Sequence, residues 1–305
     1  MDPKIAAIIV AYNPELFIFK KLLHATAHQV YKIFIVDNST SDKLPNWLKE
    51  NSLQNVGYFS IGKNIGIGAA QNIGIREASR MGATHVLLLD HDSIPDPTMV
   101  SALITAEQKL IREGQNLAAV GPRYKLHGTE LLSFFVQFGL FRFKKIYCAD
   151  EDRGKYVPAD FLISSGCLIS LKAVSEIGLL DESLFIDHVD TEWFLRAKSK
   201  GYSSFGICAA IMNHNLGDYL FSFWFGKKRT LPIHSPLRHY YIFRNSVLLY
   251  KRPYASKKWI VNDAIRLCLI LITFSIFIPP RGNFLRMMIK GLYDGFKGRS
   301  GRYII

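Results

Sequence analysis

Acidic residues at the ends of apolar strands are the first chemistry this 305-residue sequence offers. In VLLLDHD, Asp90 and Asp92 stand directly after a fully apolar run. Side chains at i and i+2 of an extended chain share a face, so both carboxylates project together. Two hard oxygen ligands placed this way suit Mg²⁺ or Mn²⁺ shared with a diphosphate. The plainer alternative is a solvated loop in which Asp92 turns the chain before Pro95. IFIVDNSTSD sets Asp37 at another strand end, where an acid accepts from a base N–H or a ribose hydroxyl. A turn or cap made by Asp37, Asn38 or Ser39 explains the same residues.

A third acidic group lies in LFIDHVDTEWFLRAKSKGY, where Asp187, Asp190 and Glu192 precede a helix ending at Gly201. A carboxylate at a loop–helix junction can serve as general base for a hydroxyl nucleophile. It can equally be an N-cap, with Asp190 capping and Glu192 favourable in the first turn. His214, in MNHNLGD, offers a third metal ligand or a structural histidine. GKNIGIGAAQNIG contains Gly66 and Gly68 but places Gln71 at the third position of a G-x-G-x-x-G fingerprint, and the first strand–helix unit lacks these glycines. That excludes a dinucleotide-binding dehydrogenase. The glycines instead permit close backbone approach or a tight loop entering a helix.

Elements must hold these residues in place. The apolar runs Ile5–Ala11, Lys32–Val36, Val56–Ile61, His85–Leu89, Ala118–Val120 and Cys167–Ser170 predict strands. Pro14–Gln29, Ile67–Met81 and Pro97–Glu113 predict helices between them. Alternation of this kind predicts an α/β layer with a largely parallel sheet, whose ligands sit outside the carboxyl ends of its strands. IIVAYN, FIVDNS and VLLLDHD all end that way. The opening Ile5–Tyr12 run stops at Asn13-Pro14 as a buried strand would, and no signal peptide is expected. Tyr124–Val157, rich in aromatics and bases, is expected as a looser insertion over one face. Past Gly226 strand signals cease, and Leu237–Tyr250, Lys258–Phe277 and Phe284–Phe296 predict helices.

Composition excludes disorder and fibres, with 49% hydrophobic residues and 21% charged. Four widely spaced cysteines without C-x-x-C predict neither a disulfide framework nor a zinc ribbon; they are expected as buried thiols in a reducing compartment. Charge is uneven. Residues 227–305 hold 16 Lys/Arg and two acids, a net of +14, leaving −1 on residues 1–226 of the total +13. The expected division is therefore 1–226 as a catalytic unit and 227–305 as a helical, basic region. Leu267–Ile278 is too short by itself to span a bilayer. The segment from Phe284 to Phe296 predicts a basic amphipathic helix of the kind that lies on an anionic leaflet. An oligomerisation layer with a solvated basic face is the other reading. No nucleic-acid motif accompanies the charge.

Together, IIVAYNP, IVDNSTSD, KNIGIGAAQNIGI, LLLDHDSIPDP, ISSGCLIS, FIDHVDTEWFLRA, NHNLG and SPLRHYYIFRN resemble the family 2 glycosyltransferases. Within that family they are most similar to rhamnosyltransferases of bacterial cell-surface polysaccharide synthesis. The resemblance implies the GT-A fold, a Rossmann-like, largely parallel α/β sheet flanked by helices, here with a C-terminal helical basic appendage. It implies an inverting, metal-dependent transfer from a nucleotide-activated sugar, most closely dTDP-L-rhamnose, to a lipid-linked or polysaccharide hydroxyl in O-antigen or capsule-type synthesis. By position, Asp37 would bind the nucleobase near Ala11 and Asn13. Asn64 and Gly66 would lie along the nucleotide. Asp90, Asp92 and His214 would hold the cation, and Asp190 would be the catalytic base. Val189 replaces the acid that usually precedes that base, so either Asp187 would substitute for it or the position is dispensable; Glu192 and Trp193 would help hold acceptor or base. The implied setting is the inner face of a bacterial cell membrane.

Two alternatives keep the fold: a UDP-sugar such as UDP-galactofuranose as donor, or a non-catalytic nucleotide-sugar binder. A nucleotidyltransferase would need a G-x-G-T-R signature where the chain has IVAYNPELF.

Overall fold

The strand Ile5–Ala11 (β1) is buried at every position, which requires cover on both faces of the sheet. In the computed structural model, which describes residues 3–51, 54–126, 132–149, 155–214, 219–225 and 227–304, that cover comes from helices on both sides. One core places α1 (Leu16–Ala27) and α4 (Met99–Arg112) against the sheet. The other packs α3 (Ile67–Arg80), α5 (Leu171–Ile177) and α6 (Val189–Ser199) on the opposite face.

Parallel pairing joins β1 to β2 (Lys32–Asp37) on one side and β4 (His85–Asp90) on the other, with β3 (Val56–Ser60) beyond β2. The chain therefore leaves β1 in opposite directions, and a crevice opens at the carboxyl ends of β1, β2 and β4. The short helix α2 (Lys43–Glu50) links β2 to β3. Beyond β4 the order continues through β10 (Leu168–Ser170), β6 (Leu117–Leu126), β11 (Ser203–His214) and β5 (Ile94–Pro95). β10 runs antiparallel to β4 and β6, and β11 runs parallel to β6. The largely parallel α/β sheet expected from the sequence is present, with each predicted strand and helix within a few residues of its expected bounds except Ala118–Val120, which lies near the start of the much longer β6.

Three expectations are corrected. Tyr124–Val157 is not simply loose: β7 (Phe135–Phe138) and β8 (Phe143–Ile146) form a hairpin, and β9 (Tyr156–Ala159) pairs with β11. Strand structure also continues past Gly226, which itself lies outside the described residues. β12 (Tyr219–Phe225) pairs antiparallel with β13 (Lys227–Ile233), whose backbone forms a strand although KKRTLPI carries no apolar alternation. Finally, Cys148 and Cys208 are joined in a disulfide across 60 residues, and Cys268 is exposed, so only Cys167 fits the expected buried thiol. Sequence spacing carries no information about which loop lies beside a given strand, and β11 brings Cys208 there.

The C-terminal helices are α7 (Pro236–Tyr250), α8 (Lys257–Ile276) and α9 (Arg281–Phe296). Ser235 caps α7 and Ser256 caps α8, each accepting a backbone N–H in the first turn. Helix α7 packs chiefly on α9, around Phe243, Phe284 and Met288.

Candidate active site

A cavity of about 510 Å³ occupies the crevice at the strand ends. Val10 and Tyr12 line it from the end of β1, Asn38 from β2 and Asp90 from β4. The loop and helix start from Phe185 to Asp190 closes one side, and His214, at the end of β11, another.

One ligand atom from each of Asp90, Asp92 and His214 falls within 4.8 Å of the others. The geometry is not the extended i, i+2 pair expected from sequence. The chain turns after Asp90, with the Ser93 N–H donating to the Asp90 carbonyl at 3.1 Å. This turn folds Asp92 back toward His214, whose Nδ1 stands 3.6 Å from Asp92 Oδ1. Burial first, with the charge of Asp90 adding, pushes the Asp92 carboxyl up, while His214 opposes that rise. Two crowded carboxylates with an imidazole form a donor set that fits a hard divalent cation. Behind them runs a line of hydroxyls: the Asp90 N–H donates to Ser165 Oγ (3.1 Å), Ser165 Oγ donates to Ser93 Oγ (2.7 Å), and Ser93 Oγ meets His214 Nδ1 (2.7 Å). Both serines are buried, so this line fixes the ring relative to the strand end.

Asp190 begins α6 and lines the cavity. Desolvation pushes its carboxyl up to about 6, with Asp187 and Asp90 adding to the rise; the backbone N–H groups of Thr191 and Ser164 oppose it. It does not cap α6. Its Oδ1 instead accepts the Thr191 N–H at 2.7 Å, and the cap position belongs to His188, in left-handed backbone.

Asp187 also lines the cavity, gripped by Arg238 of α7 through bonds of 2.8 and 2.7 Å. Asn245 donates to the carbonyls of Leu184, Ile186 and Asp187, and Arg244 donates to that of Leu184. Tyr241 stacks on Phe185. These residues of SPLRHYYIFRN had no assigned role in the sequence, yet they hold the loop that leads to Asp190. Gly66, at φ 90°, enters α3 beneath the same loop; a Cβ there would stand 2.5 Å from the Phe185 carbonyl. Asn64 lines the cavity and its Oδ1 accepts the Gly66 N–H at 2.9 Å.

Other expected site residues lie elsewhere. Asp37 is buried below the cavity, with Ser39 N–H on one oxygen and Tyr58 Oη–H on the other, each at 2.9 Å. Burial first, then the hydrogen bond to Asp37, raises Tyr58 to about 12, so that hydroxyl remains a donor. Ala11 is fully buried, and its carbonyl accepts the Asn38 N–H. Asn13 is exposed, with its N–H on Ser39 Oγ. The strand-end residue that lines the cavity is Asn38, which sequence reasoning passed over: its Oδ1 is buried without a partner, while Nδ2 donates to the Gly66 carbonyl. Glu192 and Trp193 face away from the cavity. Glu192 makes a bidentate pair with Arg196 and accepts the Tyr254 hydroxyl. Trp193 is a core residue that donates to the Gly178 carbonyl. Of NHNLG, residues 215–217 lie outside the described residues.

The comparisons agree with this architecture. Residues 6–178 match the model of glycosyl transferase family 2. Over 99% of its length the chain is 31% identical to a dTDP-rhamnosyl transferase, RfbF, of Shigella flexneri, covering 98% of that protein. It is 26% identical to the low-salt glycan biosynthesis hexosyltransferase Agl10 of Haloferax volcanii, over 68% of this chain and 65% of that one. Among solved structures, GalNAc-T7 with UDP, GalNAc and Mn²⁺ superposes with a TM-score of 0.59 at 13% identity, covering 91% of this chain and 58% of that one. Staphylococcus aureus TarS 1–349 in complex with UDP-GlcNAc gives 0.57 at 15% identity, over 97% and 81%. Those two likenesses show the GT-A fold alone; the family match over more than half of the chain and the relative covered almost end to end establish that the chain is a member of glycosyl transferase family 2.

Proposed function

We propose that the chain moves L-rhamnose from dTDP-L-rhamnose to a hydroxyl of a lipid-linked saccharide, with inversion, in the building of a cell-surface polysaccharide. The observation that carries the reaction type is one cavity holding both a raised carboxyl, Asp190, and the Asp90–Asp92–His214 donor set. The rhamnosyl donor follows from the Shigella relative.

Asp190 takes the proton of the acceptor hydroxyl as its oxygen bonds to the anomeric carbon. The bond from that carbon to the diphosphate oxygen breaks, and its electron pair leaves with the nucleoside diphosphate. Of the other carboxylates that line the cavity, Asp187 is tied to Arg238 and Asp90 and Asp92 belong to the donor set, which favours a single displacement. A carboxyl near 6 is mostly ionised at neutral pH and still basic enough to accept a proton, the compromise general base catalysis needs. Asp90, Asp92 and His214 would hold Mg²⁺ or Mn²⁺, which supplies Lewis-acid stabilisation of the charge building on the leaving diphosphate. Asn38 Oδ1, buried and open, is suited to accept the imide N–H of a thymine or uracil base. This gives Asn38 the base-reading role that the resemblance implied for Asp37. The preferred division keeps residues 1–226 as the catalytic unit, with 227–305 supporting it and meeting the membrane.

The test is a donor screen on the purified chain: dTDP-rhamnose, UDP-galactofuranose, UDP-galactose, UDP-N-acetylglucosamine and GDP-mannose, each with Mn²⁺ and with EDTA. Metal-dependent thermal stabilisation by dTDP-rhamnose, with slow release of dTDP, is expected. Selective response to a UDP-sugar would overturn the rhamnosyl assignment, and no response to any donor would overturn the enzyme reading.

A further inference from the structure

The outward face of the α8–α9 hairpin is apolar where a water-facing surface would be charged. On α8, Ile265, Leu269, Ile272 and Ile276 recur at helical spacing and are 40%, 61%, 54% and 53% exposed. On α9, Leu285 and Ile289 are likewise exposed. The opposite face of α8 is committed to the fold: Trp259 is buried, Asn262 donates to the Gly139 carbonyl, and Asp263 accepts the Tyr250 hydroxyl. By length and composition α8 could cross a bilayer, but a helix tied to the body by those groups lies along a surface instead.

The charge around this face is one-sided. Both acids of residues 227–305, Asp263 and Asp294, are buried and neutralised, by Arg266 and by Lys290 with Arg299. What faces solvent is basic, including Lys257 and Lys258 at the start of α8 and Arg281 and Arg286 on α9. A second copy of the chain would bring the same excess of +14 against itself, so a self-paired face is disfavoured. An anionic lipid headgroup layer over an apolar interior complements both properties.

We propose that the α8–α9 face is the seat of this protein on an anionic phospholipid surface, with the apolar row entering the headgroup boundary and the lysines and arginines meeting phosphates. The inner side of α8 also touches the active-site loop: Trp259 meets His188 edge-on, and an Arg266 Nη lies 3.3 Å from His188 Nε2. The helix that rests on lipid is therefore in contact with the cavity wall, which is where a lipid-linked acceptor needs it. The seat deepens the proposed meeting of residues 227–305 with the membrane, and that last clause rests on the proposed acceptor as well.

Flotation of the full chain with vesicles tests it, comparing phosphatidylcholine alone with phosphatidylcholine containing phosphatidylglycerol, at low and high salt. The wild type is expected to float with the anionic vesicles, and less so in high salt. The double variant L269E/I272E, at exposed positions, is expected to bind at least about tenfold more weakly. Its melting temperature and donor hydrolysis should be those of the wild type. Equal binding by variant and wild type would overturn the proposal. So would a wild-type dimer in sedimentation velocity that the variant dissociates while neither binds vesicles. Donor hydrolysis is read separately, so loss of the rhamnosyl assignment and loss of the lipid seat are distinguishable.

Discussion

Replacing Asp190 by Asn separates catalysis from stability, because one buried charge serves the first at the expense of the second. Its carboxyl rises from 3.8 to about 6 on folding. At about 1.36 kcal/mol per unit, this corresponds to ~3 kcal/mol of destabilisation above pH 6. The sign follows from proton binding. Between about pH 4 and 6 the unfolded chain has released a proton that the folded chain still holds, so stability falls as pH rises. Asn is nearly isosteric and carries no charge, but it gives up part of what the Thr191 and Ser164 N–H groups contribute. A net gain of ~1–2 kcal/mol at pH 8, or a rise of roughly 2–4 °C in melting temperature, is expected. The gain should fall to about zero at pH 5, where the wild-type carboxyl is mostly protonated when folded and the buried-charge contribution drops to about half. Turnover should fall by roughly 10²–10⁴, the usual weight of a general base. Differential scanning fluorimetry at pH 5 and 8, beside dTDP release, reads both quantities. A variant no more stable than wild type at pH 8 would refute the buried-charge argument, and turnover within a few-fold would refute the base.

Three further outcomes follow from the contacts. Ser93→Ala cuts the hydroxyl line to His214 and should weaken Mn²⁺ binding by about 10–100-fold, read by titration calorimetry without any donor. Asn245→Ala strands the Ile186 and Asp187 carbonyls, while Arg244 keeps that of Leu184 partnered, and should cost about 2–4 kcal/mol in urea unfolding, with turnover lowered as the loop loosens. Glu192→Gln breaks the buried pair with Arg196 and should destabilise by about 3–5 kcal/mol, yet leave the donor KM of the folded fraction unchanged, because Glu192 lies outside the cavity.

What the sequence made legible was whatever a single apolar run announces. The strands β1, β2 and β4 are such runs, and the carboxyl end of β4 opens on the crevice, so Asp90 was placed without knowing its neighbours. β11 was missed because SSFGICAAIMNH is built from small residues with no marked alternation; its place is set by pairing with β6, and without it His214 was only an isolated histidine. Asp37 and Asn38 show the limit most clearly. They are adjacent and both polar at a strand end, and only the positions of Ser39 and Tyr58 reveal that the acid is already satisfied while the amide is open. Glu192 shows the converse: the resemblance gave it a part in holding acceptor or base, and α6 turns it away from the cavity toward Arg196.

The loop before Asp190 ties the basic C-terminal helices to the wall of the cavity. Phe185, Asp187 and His188 all have positive φ, at 67°, 62° and 61°. Such conformations cost on the order of 1 kcal/mol or more each in a non-glycine residue and persist only where surrounding contacts over-determine them. The contacts here come from α7: Arg238 on the Asp187 carboxylate, Asn245 and Arg244 on the loop carbonyls, and Tyr241 on the Phe185 ring. The match to the family model ends at residue 178, before this loop, before Asp190 and before His214. The strand ends that line the cavity thus lie within the family segment, whereas the loop that leads to Asp190, the proposed base, is held by a helix from the basic region. Substitution of Arg238, Tyr241, Arg244 or Asn245 therefore acts on the position of Asp190 while leaving the strand-end side of the cavity as it was.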